Sequence, residues 1–214
     1  MKRARLVPAD EASLPLALDF LRAGEPLVFP TDTVYGLGAP YTDEAAIRKI
    51  YRLKGRPLDK PIALLLAETN DVAPIARTVS DLAWRLADRF FPGPLTLVLP
   101  KAPAVPYWVT AGGEGVAVRV PDHPFARALI RAMGTPLATT SANVAGHPAP
   151  ITAQDAYAQL AHGVALILDG GPCPGGMEST VLDLTGPSPL LLREGAISRE
   201  TLEVVCGRLL DVLK

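Results

Sequence analysis

The sequence contains few cysteines, and no residues in it are spaced like metal ligands. Cys173 and Cys206 are the only cysteines among 214 residues, and no C-x-x-C pair occurs. The three histidines also lack metal-ligand spacing. These absences argue against a zinc site and against a disulfide framework, and two unpaired thiols are typical of a reducing compartment. No metal site built from protein side chains is predicted.

Long apolar runs are also absent. The longest, residues 62–67 and 164–168, are too short to cross a bilayer. Asp10, Glu11 and Asp19 interrupt any apolar stretch near the N-terminus, so no signal peptide is predicted. The formal net charge is -1, which argues against a wholly basic nucleic-acid binder but permits a local basic cleft. We expect a soluble cytoplasmic protein with no membrane partner.

Short apolar segments alternate along the chain with helical patterns. Strands are predicted within residues 27–29, 62–66, 95–99, 116–120, 137–140, 165–168, 180–184 and 190–193. Helices are predicted over residues 13–23, 43–53, 80–90, 124–133, 153–160 and 198–213. Because several strands are apolar on both faces, the pattern indicates an α/β fold with one mixed sheet covered by helices. No repeat or long linker divides the chain, so residues 1–214 are predicted to form a single domain.

Two polar segments adjoin the first predicted strand and the second predicted helix. Residues 29–38 run from an apolar strand through small hydroxyl residues into a predicted Gly-x-Gly turn, which is typical of a small polar ligand site or of an ordinary capped turn. Residues 54–61 carry Lys54, Arg56 and Lys60 among two prolines and a glycine. Stiffly held cations suit a polyanion such as a triphosphate. A solvated basic turn at a helix end is the alternative.

Further candidates lie near the ends of later strands. Residues 139–143 place hydroxyls and an amide where α/β sheets usually bind ligands. The glycine-rich residues 170–180 lack the Gly-Lys-Ser/Thr of a P-loop, and a strand follows them, so they indicate either a mobile loop over a ligand or a plain connection. Arg119 and Arg193 lie in apolar strands, where each must be paired or face a polar site.

Together these segments resemble the threonylcarbamoyl-AMP synthase family, the YrdC-like domain. The matching motifs, in the order of the family, are PTDTVYGLG at 30–38, KGRP at 54–57 with KP at 60–61, FPGPLT at 91–96, VRVP at 118–121, TSAN at 140–143, ESTV at 178–181 and LREG at 192–195. The likeness covers roughly residues 6–200, and the chain resembles the short, single-domain form of the family. It implies a twisted open mixed β-sheet flanked by helices, with a concave, positively charged cavity.

The resemblance also implies a reaction and a set of site residues. L-threonine, bicarbonate and ATP would give threonylcarbamoyl-AMP and pyrophosphate with Mg²⁺, and separate transferase proteins would modify tRNA beside the anticodon. Lys54 and Arg56 are the implied catalytic residues. The implied ATP-binding residues are Lys54, Arg56, Lys60, Gly115, Ser141, Asn143, Ala149 and Arg193. The implied threonine-binding residues are Thr33, Leu65, Arg119, Thr139 and Ser179, with Arg119 expected to meet the carboxylate.

Three alternatives stay open. The basic residues between Arg48 and Lys60 would suit a non-enzymatic RNA-binding module or weak tRNA binding, although aromatic residues are not interleaved with them. A carbamoyl-adenylate enzyme that modifies a protein would need zinc-finger and acylphosphatase segments, which this chain lacks. A paralogue with the same fold would act on another small substrate.

Overall fold

The computed structural model describes residues 3–211 and places all of their strands in one 11-stranded sheet. The strands are β1 (Arg5–Pro8), β2 (Leu27–Phe29), β3 (Gly36–Pro40), β4 (Ala63–Leu65), β5 (Leu95–Pro100), β6 (Gly115–Arg119), β7 (Leu137–Ser141), β8 (Leu166–Asp169), β9 (Thr180–Asp183), β10 (Leu190–Arg193) and β11 (Leu210–Asp211). Their spatial order is β1-β8-β2-β3-β7-β4-β6-β5-β9-β10-β11, with parallel and antiparallel neighbours. The predicted mixed α/β sheet is confirmed.

Helices cover both faces of this sheet. They are α1 (Leu14–Arg22), α2 (Glu44–Lys54), α3 (Asp81–Phe90), α4 (Tyr107–Thr110), α5 (Pro124–Met133), α6 (Ala153–Leu160) and α7 (Arg199–Cys206), and a 3₁₀ turn spans Thr69–Val72. Within residues 3–211, no helix is long and apolar enough to cross a membrane.

The core is divided by the sheet into two apolar clusters. In β2, Leu27 and Phe29 pack with α1 and α5, whereas Val28 packs on the opposite side with α2. The same alternation occurs in β8, where Ile167 faces away from its two leucine neighbours. Because successive strand side chains point to opposite faces, strands that are apolar throughout require helices on both sides.

Two predicted elements are wrong. The predicted Gly-x-Gly turn is strand β3, which pairs with β2 and β7. The predicted helix over residues 198–213 ends at Cys206, because Gly207 takes a positive φ of 73°. Residues 210–211 then form β11, and residues 212–213 lie outside the described residues.

Candidate active site

One polar cavity of about 290 Å³ is lined by strands and loops from distant parts of the chain. Most of its polar lining was predicted from the sequence: Thr33, Arg56, Arg119, Thr139, Ser141, Ser179 and Arg193, with Leu65 in the apolar part. Glu178 and Thr96 also line it and were not predicted as site residues. Lys54, Lys60, Gly115, Asn143 and Ala149 do not line the cavity.

Arg119 lies at the buried end of the cavity, 6% exposed. Its Nε donates to Gly93 O, its Nη1 to Thr33 Oγ1, and its Nη2 to Asp32 Oδ1 at 2.5 Å. Burial lowers the pKa of Arg119, and the adjacent Asp32 carboxylate opposes this change. Because a guanidinium has five N–H groups, one on Nη1 and one on Nη2 remain available to a ligand.

The hydroxyls beside Arg119 form a directed chain. Thr31 Oγ1 donates to Val34 O at 2.7 Å, so the hydrogen of Thr33 Oγ1 is left to bond Thr31 Oγ1 at 3.0 Å. Thr33 Oγ1 meanwhile accepts from Arg119. Both bonds fix the Thr33 hydroxyl in place, and they leave it only acceptor capacity for a ligand in the cavity.

Arg56 lies at a different wall, immediately after α2. Gly55 ends this helix in the left-handed conformation, with φ 62°, and Arg56 follows it. Arg56 Nη2 donates to Pro61 O at 2.9 Å, while Arg56 Nε is buried without a partner. Among the cavity-lining arginines that the structure describes, Arg56 is the one without a carboxylate partner, because Arg119 pairs with Asp32 and Arg193 with Glu178.

Lys54 points away from the cavity into the protein. Its side chain is buried, and Nζ donates to Ser141 O, to Asn143 O at 2.7 Å and to Asn143 Oδ1 at 3.0 Å. These three acceptors match the three donors of an ammonium group. Burial lowers the pKa of Lys54 to about 8, and the positive charge of Arg56 adds to this effect. Lys54 therefore holds the segment that brings Ser141 to the cavity.

The glycine-rich segment behind the cavity is tied down at three points. Tyr35 Oη donates to Gly171 O at 2.7 Å, Cys173 N donates to Ile151 O, and Gly175 N donates to Asp32 O at 3.0 Å. Burial raises the pKa of Tyr35 to about 12, so its hydroxyl keeps its proton at neutral pH. A mobile loop and a plain connection are the predicted alternatives for this segment, and these three bonds attach it to Tyr35, Ile151 and Asp32.

The described residues offer no ready metal centre. Within residues 3–211, no three His, Cys, Asp or Glu side chains are grouped as metal ligands. The cavity instead offers cations and hydroxyls, which suit anionic ligands.

The open mixed sheet and its cation-lined polar cavity define an α/β ligand-binding domain. The chain belongs to the Sua5/YciO/YrdC family, whose model, described as "Telomere recombination", matches residues 19–195. The resemblance predicted from the motifs is thereby confirmed.

Several known proteins are similar over most of this chain. A threonylcarbamoyl-AMP synthase of Bacillus subtilis is 44% identical over 92% of this chain and 58% of its own length. One of Pyrococcus abyssi is 42% identical over 94% of this chain and 59% of its own length. The structure of P. abyssi Sua5 complexed with L-threonine superposes with a TM-score of 0.94 at 40% identity, covering 98% of this chain and 63% of that one. The chain thus spans about three fifths of the length of these relatives.

Proposed function

We propose that this protein is a threonylcarbamoyl-AMP synthase, which joins L-threonine, bicarbonate and ATP into threonylcarbamoyl-AMP and pyrophosphate. Two relatives that are more than 40% identical carry this name. The observation that carries the proposal is the division of charge in the cavity, where Arg56 lacks a carboxylate partner while Arg119 is neutralised by Asp32. An unneutralised arginine suits a polyphosphate, and a neutralised one suits a small zwitterion.

The threonine end of the site would lie around Arg119. Its two remaining N–H groups would bind the carboxylate, and the hydroxyls of Thr33, Thr139 and Ser179 would bind polar groups of the amino acid. Leu65 would supply an apolar contact for the methyl group. The P. abyssi structure named as complexed with L-threonine supports this choice of ligand.

The nucleotide end would lie beyond Arg56. Arg56 would contact phosphate oxygens, Ser141 would contact the nucleotide, and the exposed Lys60 would add charge at the rim. Arg193, which pairs with Glu178 and donates to Ser179 O, would contact the nucleotide where it meets the amino acid. Gly115, Asn143 and Ala149 do not line the cavity, so their predicted nucleotide contacts would require a ligand that extends past it. Direct phosphate contact by Lys54 would require its ammonium to leave three protein acceptors. The indirect role, through Ser141 and Asn143, fits the structure better.

The reaction would proceed in two steps in this site. The threonine amine captures bicarbonate to form a carbamate, and a carbamate oxygen attacks the α-phosphorus of ATP in line, so that pyrophosphate leaves. Positioned cations neutralise the charge that develops on the departing pyrophosphate. Mg²⁺ would enter bound to the ATP phosphates, because the described residues contain no cluster that could hold it alone.

The product would serve tRNA modification in the cytoplasm, with separate transferase proteins moving the threonylcarbamoyl group to adenosine. Direct tRNA binding has weaker support, because three of the six cationic residues in the predicted basic cluster are paired with a carboxylate or buried. Arg48 pairs with Glu44, Lys49 pairs with Glu25, and Lys54 is buried.

The test of this proposal is pyrophosphate release by the purified protein with ATP and Mg²⁺, with threonine and bicarbonate omitted in turn. We expect release only when both are present, together with a product of the mass of threonylcarbamoyl-AMP. Release that is indifferent to threonine would contradict the proposal and favour a same-fold enzyme with another substrate.

Replacing Arg56 with alanine tests the charge at the nucleotide end. We expect Arg56→Ala to lower kcat/KM for ATP by about 10²- to 10³-fold, as removal of a preorganised donor does in other active sites. Arg52→Ala is the matched control, because Arg52 is exposed on the last turn of the same helix and does not line the cavity. Equal loss in both variants would indicate a general effect on this helix end.

A further inference from the structure

The cavity contains one acidic side chain to which the proposed reaction assigns no role. Among the described residues that line it, Glu178 is the one carboxylate. Its Oε2 accepts from Arg193 Nη1 at 3.0 Å, while no hydrogen bond to Oε1 is found within residues 3–211. The side chain is 40% exposed, so this second oxygen is accessible to a ligand.

The backbone holds Glu178 firmly at this position. Glu178 O accepts from Ala196 N at 3.0 Å, and a Cβ on Gly195 would lie only 2.3 Å from Glu178 O. Arg193 also donates from Nε and Nη2 to Ser179 O, so the next residue is fixed as well. A side chain that is mounted in this way and oriented by an arginine is preorganised for chemistry.

The proposed reaction requires a proton acceptor at the amino-acid end. At neutral pH the threonine amine arrives as an ammonium group, which has no lone pair to attack carbon. A carboxylate within hydrogen-bond reach can both bind this ammonium and remove a proton from it. Glu178 adjoins Ser179, one of the hydroxyls placed around threonine, and it balances the charge of Arg193.

Resting on the proposed function, we propose that Glu178 is a further catalytic residue, which binds the threonine ammonium and accepts its proton before carbamate formation. The ammonium N–H bond breaks, its electron pair stays on nitrogen, and the proton moves to Glu178 Oε1. The nitrogen lone pair then forms the N–C bond to bicarbonate, the C–OH bond breaks, and the hydroxyl leaves as water with a second nitrogen proton. Glu178 finally returns its proton to solvent, so atoms and charge balance.

Several charged or titratable groups surround Glu178. Arg193 contacts it directly, and Arg56 and Arg119 line the same cavity. Lys54 lies within the electrostatic reach of Glu178 and titrates near 8, and Tyr35 titrates near 12. Because Lys54 titrates within the tested range in every variant, the informative quantity is the ratio of wild-type to variant rates at each pH.

The experiment compares wild type with Glu178→Gln in threonine- and bicarbonate-dependent pyrophosphate release. With the acceptor lost, we expect kcat to fall about 10²-fold or more at about pH 7, with a much smaller change in KM for ATP. At about pH 9.5 a large share of the threonine amine is already unprotonated, so the ratio should narrow by about 10-fold or more. Glu178→Asp, which keeps the carboxylate, should recover part of the rate.

The control is Glu194→Gln, because Glu194 is exposed beside Arg193 and does not line the cavity. A rate ratio for Glu178→Gln that stays constant with pH would assign Glu178 to the positioning of Arg193 and overturn the proposal. A raised Mg²⁺ requirement with an unchanged pH profile would make it a metal ligand and also overturn the proposal. If pyrophosphate release by the wild type did not depend on threonine or bicarbonate, the proposed function itself would be wrong. This result differs from a failure of the Glu178 proposal, in which the wild type still requires both.

Discussion

At the scale of single residues, the Arg119–Asp32 pair is both a buried ion pair and part of the cavity, because Arg119 lines it. Both side chains are almost fully buried, at 7% and 10% exposure. Removing one partner of such a pair leaves an uncompensated charge in a medium that solvates it poorly. The sequence predicted that Arg119 would be paired or face a polar site, and the structure shows both.

We therefore expect Asp32→Asn to lower the free energy of unfolding by about 3 to 5 kcal/mol. The matched control is Glu25→Gln, which breaks the half-exposed pair with Lys49 and should cost less than about 1 kcal/mol. Urea denaturation measures both. Equal effects would show that burial does not set the energy of the Arg119 pair.

Lys54 provides a second residue-scale test, through pH. Its ordinary pKa of 10.5 is lowered to about 8 in the folded protein, chiefly by burial. Between these values the unfolded chain binds more protons than the folded chain, so this group makes stability rise with pH in that interval. Below about pH 8 Lys54 is protonated in both the folded and the unfolded chain, so the full cost of burying its charge is present.

We expect the difference in unfolding free energy between wild type and Lys54→Met to shift in favour of wild type from about pH 8 to about pH 10.5. Chemical denaturation at several pH values measures this difference. The difference in unfolding free energy could instead stay constant with pH or shift in favour of Lys54→Met. Either result would show that hydrogen bonds to the three acceptors stabilise the protonated form of Lys54 more than burial destabilises it.

At the scale of elements, the glycines of β3 set how closely the walls of the cavity approach. A Cβ on Gly38 would lie 2.8 Å from Thr139 Oγ1 and 2.9 Å from a ring carbon of Phe29. Both are shorter than ordinary contacts between packed atoms. Glycine here is thus a packing requirement of a strand between two partners.

Gly38→Ala should consequently destabilise the protein by about 1 to 3 kcal/mol through overpacking and displace Thr139 from the cavity wall. Gly186→Ala is the control, because a Cβ there meets no atom closer than 3.9 Å. The unfolding temperature and the affinity for threonine should both fall in Gly38→Ala, and neither should change in Gly186→Ala. Normal threonine affinity in Gly38→Ala would argue against Thr139 as a contact.

The elements that sequence could predict are those with strong periodicity. Helices α5 and α6 occur at the predicted residues, because apolar spacing and caps agree there. Strand β3 was predicted as a turn, since glycine content favours turns and only the neighbours β2 and β7 reveal why glycine is needed. The edge strand β1 escaped notice because most of its residues are exposed.

At the scale of the whole molecule, the site is assembled from nearly the full length of the chain. The predicted Thr33, Arg56, Thr139 and Arg193 meet in one cavity although up to 160 residues separate them. Sequence indicated these residue types, but not that Lys54 would turn inward or that Asp32 would neutralise Arg119. Such partnerships depend on which strands become neighbours, which residue spacing does not encode.

A ligand that bridges these distant strands should stabilise the whole fold. At about 100 times its Kd, L-threonine should add about 2.7 kcal/mol to stability. For a chain of this size this corresponds to a rise in unfolding temperature of roughly 5 to 10 °C. Glycine at the same concentration is the control, since it lacks the methyl and hydroxyl that Leu65 and the threonine hydroxyls would meet. An equal rise with glycine would contradict threonine selectivity.

The strand order also has a consequence for biosynthesis. β9 lies between β5 and β10, and Ser179 and Arg193 border this late-made part of the sheet. While the ribosome is still making the chain, the cavity lacks one wall until Arg193 has been translated. A nascent chain that has not reached this point would therefore lack a complete cavity and could not hold a ligand that spans it.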